Sequence, residues 1–119
     1  MIDRSDVLEY VLEAYGTKPE HLWEKYPTHE VLRHKKNAKW YGLLMDIPEQ
    51  KVGLSGDGRI DILVIKCEPE MVSSLIGQKG FAPAYHMNKT HWLTVLLDGT
   101  LQDSTIYNLL DMSYELTDK

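Results

Sequence analysis

The chain has 119 residues, of which 43% are hydrophobic and 26% are charged, and its formal net charge at pH 7 is −5. This composition is typical of one globular domain that can bury a core without disulfides, so we predict a single domain over residues 1–119. The chain has one cysteine, no apolar run long enough to span a membrane and no signal-peptide pattern at its N-terminus. These features predict a cytoplasmic protein without a membrane partner.

A first helix is predicted over residues 3–16, where apolar side chains recur at helical spacing. Asp3 or Ser5 is expected to cap its first turn, and Gly16 can supply the left-handed residue that ends it. The connection over residues 19–27 is predicted to form one helical turn packed on the core. Its apolar and aromatic residues are Leu22, Trp23 and Tyr26.

Two paired strands are predicted next, over residues 31–36 and 39–47. Asn37 and Ala38 are expected to form the tight turn between them, because Asn tolerates positive φ. The glycine-containing segment 48–58 is interpreted as a loop with a short strand near residues 51–54. Residues 60–67 are nearly all apolar and β-branched, which predicts a central strand covered on both faces. Cys67, at the end of this strand, is expected to be a buried, unreactive thiol.

Pro69 suits the first position of a second helix, which is expected to bury Met71, Val72, Leu75 and Ile76 and to end at Gly77 and Gly80. A loop over residues 83–89, a strand over 91–97 and a last helix follow. Asp103 or Ser104 is expected to cap the last helix. Its inner face is predicted to hold Ile106, Leu109, Leu110 and Ser113. This order of elements indicates an α+β fold, with helices covering a mainly antiparallel sheet.

Basic side chains are concentrated in two internal segments. Residues 32–51 contain five basic and two acidic side chains, and residues 77–97 contain two basic and no acidic ones. If the two segments meet in space, the molecule has a positive face in spite of its acidic total. In the alternative interpretation, the acidic terminal helices are simply well solvated and the distribution has no functional meaning.

Residues 83–92 form the most informative segment, because they combine histidine, lysine, amide and aromatic side chains without an acid. Lys89 offers a positive charge, Asn88 an amide, and the rings of Tyr85 and His86 offer stacking faces for a planar or anionic partner. Alternatively, Trp92 is a core residue and the polar side chains brace the loop.

A basic hairpin is predicted over residues 33–41. It is closed by the aromatic pair Trp40 and Tyr41, and its basic side chains are Arg33, His34, Lys35, Lys36 and Lys39. Such a hairpin can lie along a phosphate backbone. The alternative is an edge strand whose lysines discourage pairing with other sheets.

The spacings that support metal or nucleotide chemistry are missing from the sequence. His86 and His91 have no accompanying Glu in a His-Glu-x-x-His pattern, and Cys67 has no second cysteine, so neither a metal site nor a cofactor is predicted. A proton-transfer pair between one of these histidines and Asp103 or Asp111 remains open. No catalytic residue is predicted. Ser113 and Tyr114 are expected to tie the last helix to the sheet through their hydroxyls.

Five strings occur in an order that resembles the MmcQ/YjbR family over nearly the whole chain. They are Lys39-Trp40-Tyr41, residues 65–70 (Ile-Lys-Cys-Glu-Pro-Glu), residues 83–92 (Pro-Ala-Tyr-His-Met-Asn-Lys-Thr-His-Trp), residues 96–99 (Leu-Leu-Asp-Gly) and Ser113-Tyr114. The resemblance implies a frataxin/CyaY-like fold with a curved antiparallel sheet and helices packed against it. It also implies a likeness to the double-wing DNA-binding motif, and members commonly carry the label of DNA-binding protein.

Two functions are expected. The leading hypothesis is a nucleic-acid-binding (DNA-binding) module without catalytic activity, which would contact phosphates, bases and sugars through Lys35, Lys36, Lys39, Trp40, His86, Asn88 and Lys89. The alternative is a small-ligand or protein-binding domain with a pocket built from Tyr85, His86, Asn88, His91 and Trp92. The sequence leaves the ligand, the oligomeric state and the exposure of these aromatic residues open.

Overall fold

The computed structural model describes residues 2–119, which form a five-stranded sheet with helices on one face. The elements in chain order are α1 (Arg4–Tyr15), β1 (Glu30–Arg33), β2 (Trp40–Pro48), a 3₁₀ helix (Glu49–Val52), β3 (Arg59–Lys66), α2 (Pro69–Leu75), β4 (Phe81–Pro83), β5 (Trp92–Leu96) and α3 (Asp103–Thr117). The strand order is β1-β2-β3-β5-β4, and each neighbouring pair is antiparallel. The α+β prediction is therefore confirmed. Met1, which the predicted single domain includes, lies outside the described residues.

One face of the sheet packs against the helices. Alternate residues along the strands point to this side, and side chains such as Leu44, Leu63 and Leu93 meet Val11 of α1 and Leu110 of α3 in one buried cluster. No helix within residues 2–119 has the length and apolar character needed to cross a bilayer.

The opposite face of the sheet carries a second buried cluster, which we call the groove-side cluster. Leu43, Met45 and Ile47 of β2 and Ile62 and Val64 of β3 are part of it. The half-buried residues that cover it come from connections and strand ends, among them Trp23, Trp40, Tyr85, Met87 and Trp92. The central strand β3 is thus buried on both faces as predicted, by helices on one side and largely by loops on the other.

The first helix forms as its sequence predicts. The Asp3 side chain accepts a hydrogen bond from the Asp6 backbone N–H at 3.0 Å, and the Asp6 carboxylate accepts one from the Asp3 N–H, also at 3.0 Å. Gly16 ends the helix at φ 69°. Each end of α1 is fixed by residues that lie within or next to the helix in the chain. Such local determinants allow both ends to be predicted from the sequence.

Ser113 ties α3 to the sheet where β2 bulges. Tyr41 is an extra residue there, because the β1 register passes from Leu32–Gly42 to Arg33–Trp40. The Ser113 hydroxyl donates to the Tyr41 carbonyl at 2.6 Å and accepts from the Lys66 N–H at 2.9 Å. It therefore bridges β2 and β3 beyond their last residue pair, Gly42–Ile65. This confirms the hydroxyl tie expected of Ser113. The Tyr114 hydroxyl makes no hydrogen bond with any of residues 2–119, and its ring stacks on Tyr15 instead.

The structure differs from the prediction at one turn and at one short strand. The β1–β2 connection is a loop over residues 34–39 rather than a two-residue turn, and Ala38, not Asn37, has positive φ, at 60°. The Asn37 side chain instead accepts from the Lys39 N–H and donates to the Thr117 carbonyl, each at 2.9 Å. The short strand expected near residues 51–54 is replaced by the 3₁₀ helix Glu49–Val52.

The helix predictions also need correction at three places. Residues 19–27 form no helical turn, and Leu22 and Tyr26 are exposed rather than packed on the core. Met71 on α2 is exposed, so the buried stripe expected for that helix is narrower than predicted. The N-cap of α3 is Gln102, without a side-chain capping bond, instead of Asp103 or Ser104.

Candidate functional site

A groove of about 670 Å³ opens on the sheet face that the helices leave uncovered. Its floor is the apolar surface of Leu43, Met45 and Ile47 on β2. Its walls are built from aromatic and histidine side chains of three separate segments, and its rim carries charged residues. We call this feature the aromatic groove.

The first wall is an array of four rings. Trp23 meets Trp40 edge-to-face with the ring centroids 5.9 Å apart, and it meets His29 in the same manner at 5.8 Å. Tyr26 stacks on His29 at 4.9 Å with the ring planes 7° apart. These geometries are the favoured ones for aromatic pairs, so each ring limits the rotation of its neighbour.

Backbone hydrogen bonds hold this wall over the sheet. Glu20 and Val31 exchange two bonds, of 3.0 and 2.9 Å, in an antiparallel bridge at the edge of β1. Farther along, the Tyr26 N–H donates to the Trp23 carbonyl and the His29 N–H donates to the Tyr26 carbonyl. The bridge and the two turns position Trp23, Tyr26 and His29 above the groove floor.

The second wall contains Tyr85, His86 and Met87, which follow β4. Thr94, buried on β5, donates its hydroxyl to the Pro83 carbonyl at 3.0 Å and accepts from the Tyr85 N–H at 3.2 Å. His86 has φ 59°, a left-handed conformation that few residues other than glycine adopt. Its ring lies 4.1 Å from that of Tyr85. Non-glycine residues in this conformation are concentrated at functional sites.

The rim of the groove carries Lys51, Arg59 and Asp46. The Arg59 Nε donates to the Asp46 carboxylate at 2.8 Å, and Nη2 donates to the Asp46 carbonyl at 2.7 Å. The Lys51 ammonium makes no hydrogen bond or ion pair with any of residues 2–119. The rim therefore has two cations for one carboxylate, although the chain as a whole is acidic.

The imidazole of His29 lines the groove and stacks on Tyr26. Burial lowers the pKa of His29, and the positive charge of Arg4, the neighbouring His86 and the Arg59 guanidinium lower this pKa further. His29 is therefore mainly neutral at pH 7, where a neutral imidazole can both donate and accept a hydrogen bond.

Three of the predicted site residues, Trp40, Tyr85 and His86, line the aromatic groove. Trp92 is half-buried and packs on the groove-side cluster without lining the cavity. The His91 side chain is exposed, and the His91 carbonyl accepts from the Cys67 N–H at 2.9 Å.

Asn88 and Lys89 brace their own loop. The Asn88 Oδ1 accepts from the Thr90 N–H at 2.9 Å and from the His91 N–H at 3.1 Å. The Lys89 ammonium folds back to donate to the Ala84 carbonyl at 2.9 Å. These bonds fix the loop that presents Tyr85 and His86, which is a positioning role.

The hairpin lysines lie around the ends of helices rather than in the groove. Lys36 Nζ is 3.9 Å from the Asp118 carboxylate, and Lys39 Nζ donates to the Lys119 carbonyl at 2.5 Å. Lys35 lies over Gly16 at the end of α1. Among the described residues that line the groove, Trp40 comes from the hairpin, and Tyr85, His86 and Met87 come from the 83–92 segment.

The carboxylates considered for proton transfer include Asp111, which lies on the helix side of the sheet. Its Oδ1 accepts hydrogen bonds from the hydroxyls of Tyr10, at 2.7 Å, and Tyr15. Burial is the largest cause that raises the pKa of Tyr15, and its hydrogen bond to Asp111 raises this pKa further. The Asp111 carboxylate is therefore already hydrogen-bonded to two tyrosine hydroxyls. Among residues 2–119, no three His, Cys, Asp or Glu side chains are grouped so that they could hold a metal ion.

Sequence reasoning missed the first wall and the rim. The sequence predicts that Trp23 and Tyr26 pack on the core, which is confirmed for Trp23 but wrong for the exposed Tyr26, and it predicts no role for His29, Lys51 and Arg59. One signal could have indicated the first wall, but not the rim. A strand as apolar as β3 needs cover on both faces, and a short, proline-bounded segment with large aromatic residues is a candidate for the face without helices.

Comparisons with known proteins agree with this architecture. The YjbR family model matches residues 12–116. The Bacillus subtilis protein named "Uncharacterized protein YyaQ" is 46% identical over 117 residues, covering 98% of this chain and 99% of that protein. A Pseudomonas syringae crystal structure superposes with a TM-score of 0.95 at 49% identity, covering 98% of this chain and 99% of the other. A Deinococcus radiodurans crystal structure gives a TM-score of 0.73 at 26% identity, with 97% and 78% covered.

Proposed function

The chain belongs to the YjbR family, and from this fold we propose that it is a ligand-binding domain whose aromatic groove holds a small planar molecule. The groove's volume, about 670 Å³, lies within the range of roughly 300–1,000 Å³ that is common for small-molecule sites. An apolar floor with a few polar groups at the edge is also the usual composition of such sites. This proposal keeps Tyr85 and His86 from the pocket predicted from the sequence.

The observation that carries the proposal is the convergence of rings from three chain segments on one apolar floor. Trp23, Tyr26 and His29 come from the connection before β1, Trp40 from β2, and Tyr85 from the loop after β4. Tyr26 remains 55% exposed at the groove. An exposed ring that is stacked on a neighbour offers its outer face to a planar ligand at little conformational cost.

The experiment is a titration of the ¹⁵N-labelled protein with a library of planar heteroaromatic fragments, followed by two alanine variants in the same segment. Tyr26→Ala is expected to weaken binding about 5- to 150-fold, since stacking on an aromatic side chain contributes roughly 1–3 kcal/mol. Leu22→Ala is the matched control, because Leu22 is also exposed, at 46%, but does not line the groove.

Both variants are expected to fold, since neither side chain is buried. Equal affinities of Tyr26→Ala and Leu22→Ala would contradict the proposal. A library in which no fragment shifts the signals of groove residues would contradict it as well.

Nucleic-acid binding is the second candidate function. The observation that favours it is that Trp40 of the basic hairpin shares the groove with Tyr85 and His86, a set of rings on which successive bases could stack. Lys36, whose side chain is 81% exposed, is available to a phosphate. Titration of single-stranded and duplex oligonucleotides at several salt concentrations tests it. Affinity that does not fall with salt, or no binding at low salt, would end this candidate.

A cytoplasmic location is part of the proposal. Cys67 is free and buried, which suits a reducing compartment. Fractionation of cells expressing the protein with an internal epitope tests this. Recovery from a membrane or extracytoplasmic fraction would contradict it.

A further inference from the structure

Building on the proposed function, we propose that the ligand of the aromatic groove is an anion: a planar ring that bears a carboxylate or phosphate group. The ring would lie against Tyr26 and His29, and the acidic group would meet Lys51 and Arg59. Carboxylate and phosphate share the planar or fork-like array of acceptor oxygens that a guanidinium and an ammonium recognise.

The fold brings the two cations to one end of the groove. Arg59 opens β3 opposite Pro48, the last residue of β2. The Glu49 N–H donates to the Gly58 carbonyl at 3.0 Å, and this bond closes the connection that carries Lys51. The register of β2 against β3 therefore holds residues 51 and 59 at the same end of these two strands, and both residues line the cavity.

Arg59 is held in place and still has donors left. Its bonds to Asp46 use Nε and Nη2, whereas Nη1 makes no hydrogen bond within residues 2–119. A guanidinium has five N–H donors, so Asp46 can orient the group without saturating it. Lys51, exposed and unpaired across the described part of the chain, adds a second positive charge.

The charge of the groove is opposite to that of the protein. Among residues 2–119, Asp46 is the one acidic residue that lines the groove, against Lys51 and Arg59, while the chain carries −5 overall. Charges of one sign in a concave site with apolar walls concentrate their field in the cavity. A ring with an acidic substituent would gain from both the stacking wall and the cationic rim, and a neutral ring would gain only from the wall.

The ring wall and the cationic rim are close enough for one small ligand to reach both. Tyr26 and His29, which stack on each other, line the same cavity of about 670 Å³ as Lys51 and Arg59. A ligand that fills this cavity can therefore contact both the ring wall and the cationic rim. A bicyclic ring with a short acidic arm therefore fits the arrangement.

The test compares matched pairs of probes by NMR titration of the whole chain. Indole-3-acetate is compared with indole-3-acetamide, and adenosine monophosphate is compared with adenosine. We expect the acidic member to bind at least about 10-fold more tightly than the neutral one at low salt, and this advantage to shrink as the salt concentration rises. The two pairs distinguish carboxylate from phosphate recognition.

Two lysine variants assign the effect to the rim. Lys51→Gln is expected to remove most of the preference for the acidic probe, because it weakens binding of the acidic probe more than binding of the neutral one. Lys79→Gln makes the same change of total charge at an exposed lysine away from the groove and should keep the preference.

Equal binding of acidic and neutral probes would refute the anionic ligand and leave the proposed function intact. Equal losses in Lys51→Gln and Lys79→Gln would also refute it, since they would point to total charge alone. Failure of every ring, neutral or acidic, to perturb the groove would refute the proposed function, and the anionic ligand with it.

Discussion

Ser113→Ala tests the hydrogen-bond bridge that joins α3 to β2 and β3. The substitution removes one hydroxyl, which donates to the Tyr41 carbonyl at 2.6 Å and accepts from the Lys66 N–H at 2.9 Å. The Tyr41 bond is fully buried, so its carbonyl would lose its partner without access to water, whereas the Lys66 N–H is only partly buried. The Tyr41 carbonyl and the Lys66 N–H should therefore contribute unequally to the loss of unfolding free energy.

The magnitude follows from the cost of a buried polar group without a partner, about 1–3 kcal/mol each. The partly hydrated Lys66 N–H should cost the lower value, and alanine recovers about 0.5 kcal/mol through its higher helix propensity. We therefore expect Ser113→Ala to lower the free energy of unfolding by about 2–3 kcal/mol. For 119 residues, the total stability is of the order of 6–18 kcal/mol, so the variant should remain folded.

Urea unfolding measures this effect through the transition midpoint at unchanged slope. Ser104→Ala is the control, because Ser104 is an exposed residue of the same helix with no side-chain hydrogen bond to any of residues 2–119. If the two variants lost equal stability, within about 0.5 kcal/mol, the bridge would contribute nothing and the reasoning would fail.

Three further predictions concern other parts of the structure. Because the folded-state pKa of His29 is lowered, the unfolded state takes up the proton first as pH falls below about 6.5, so stability drops there, and His29→Gln should lose less stability between about pH 7 and pH 5; an equal loss would contradict this. Burial raises the pKa of the Cys67 thiol to about 11, so alkylation near neutral pH should be slow in the native protein and fast in urea; equal rates would contradict the burial. At Gly80, φ is +94° and an added Cβ would lie 2.6 Å from Leu101 Cγ, so Gly80→Ala should cost about 1–3 kcal/mol in unfolding experiments, whereas Gly77→Ala, which meets no atom within 4 Å, should cost far less.

The sequence predicted those elements whose determinants are local. The ends of α1 are fixed by Asp3 and Gly16, both adjacent to the helix, and the twofold burial of β3 follows from its apolar composition. The predicted N-cap of α3 is wrong because Gln102, Asp103 and Ser104 are three consecutive polar residues. Which of them caps the helix depends on backbone angles that are set by the preceding turn.

Long-range contacts explain the remaining differences. The β1–β2 loop takes its shape partly from the bond between Asn37 and the Thr117 carbonyl, 80 residues away, which no local pattern reveals. In the site, Trp40, Tyr85 and His86 could be predicted from their unusual residue types. Lys51 and Arg59 could not, because their proximity depends on the register of β2 against β3.

The floor and the walls of the aromatic groove differ in how well they tolerate amino-acid substitutions. The floor belongs to β2, whose ladder with β3 also supports the helix-side core, whereas the walls, apart from Trp40 of β2, come from the connection before β1 and the loop after β4. An exposed wall residue such as Tyr26 can therefore be exchanged with a small effect on folding. Under the proposed function, directed evolution restricted to exposed residues of these two connections should change ligand selectivity while the scaffold persists.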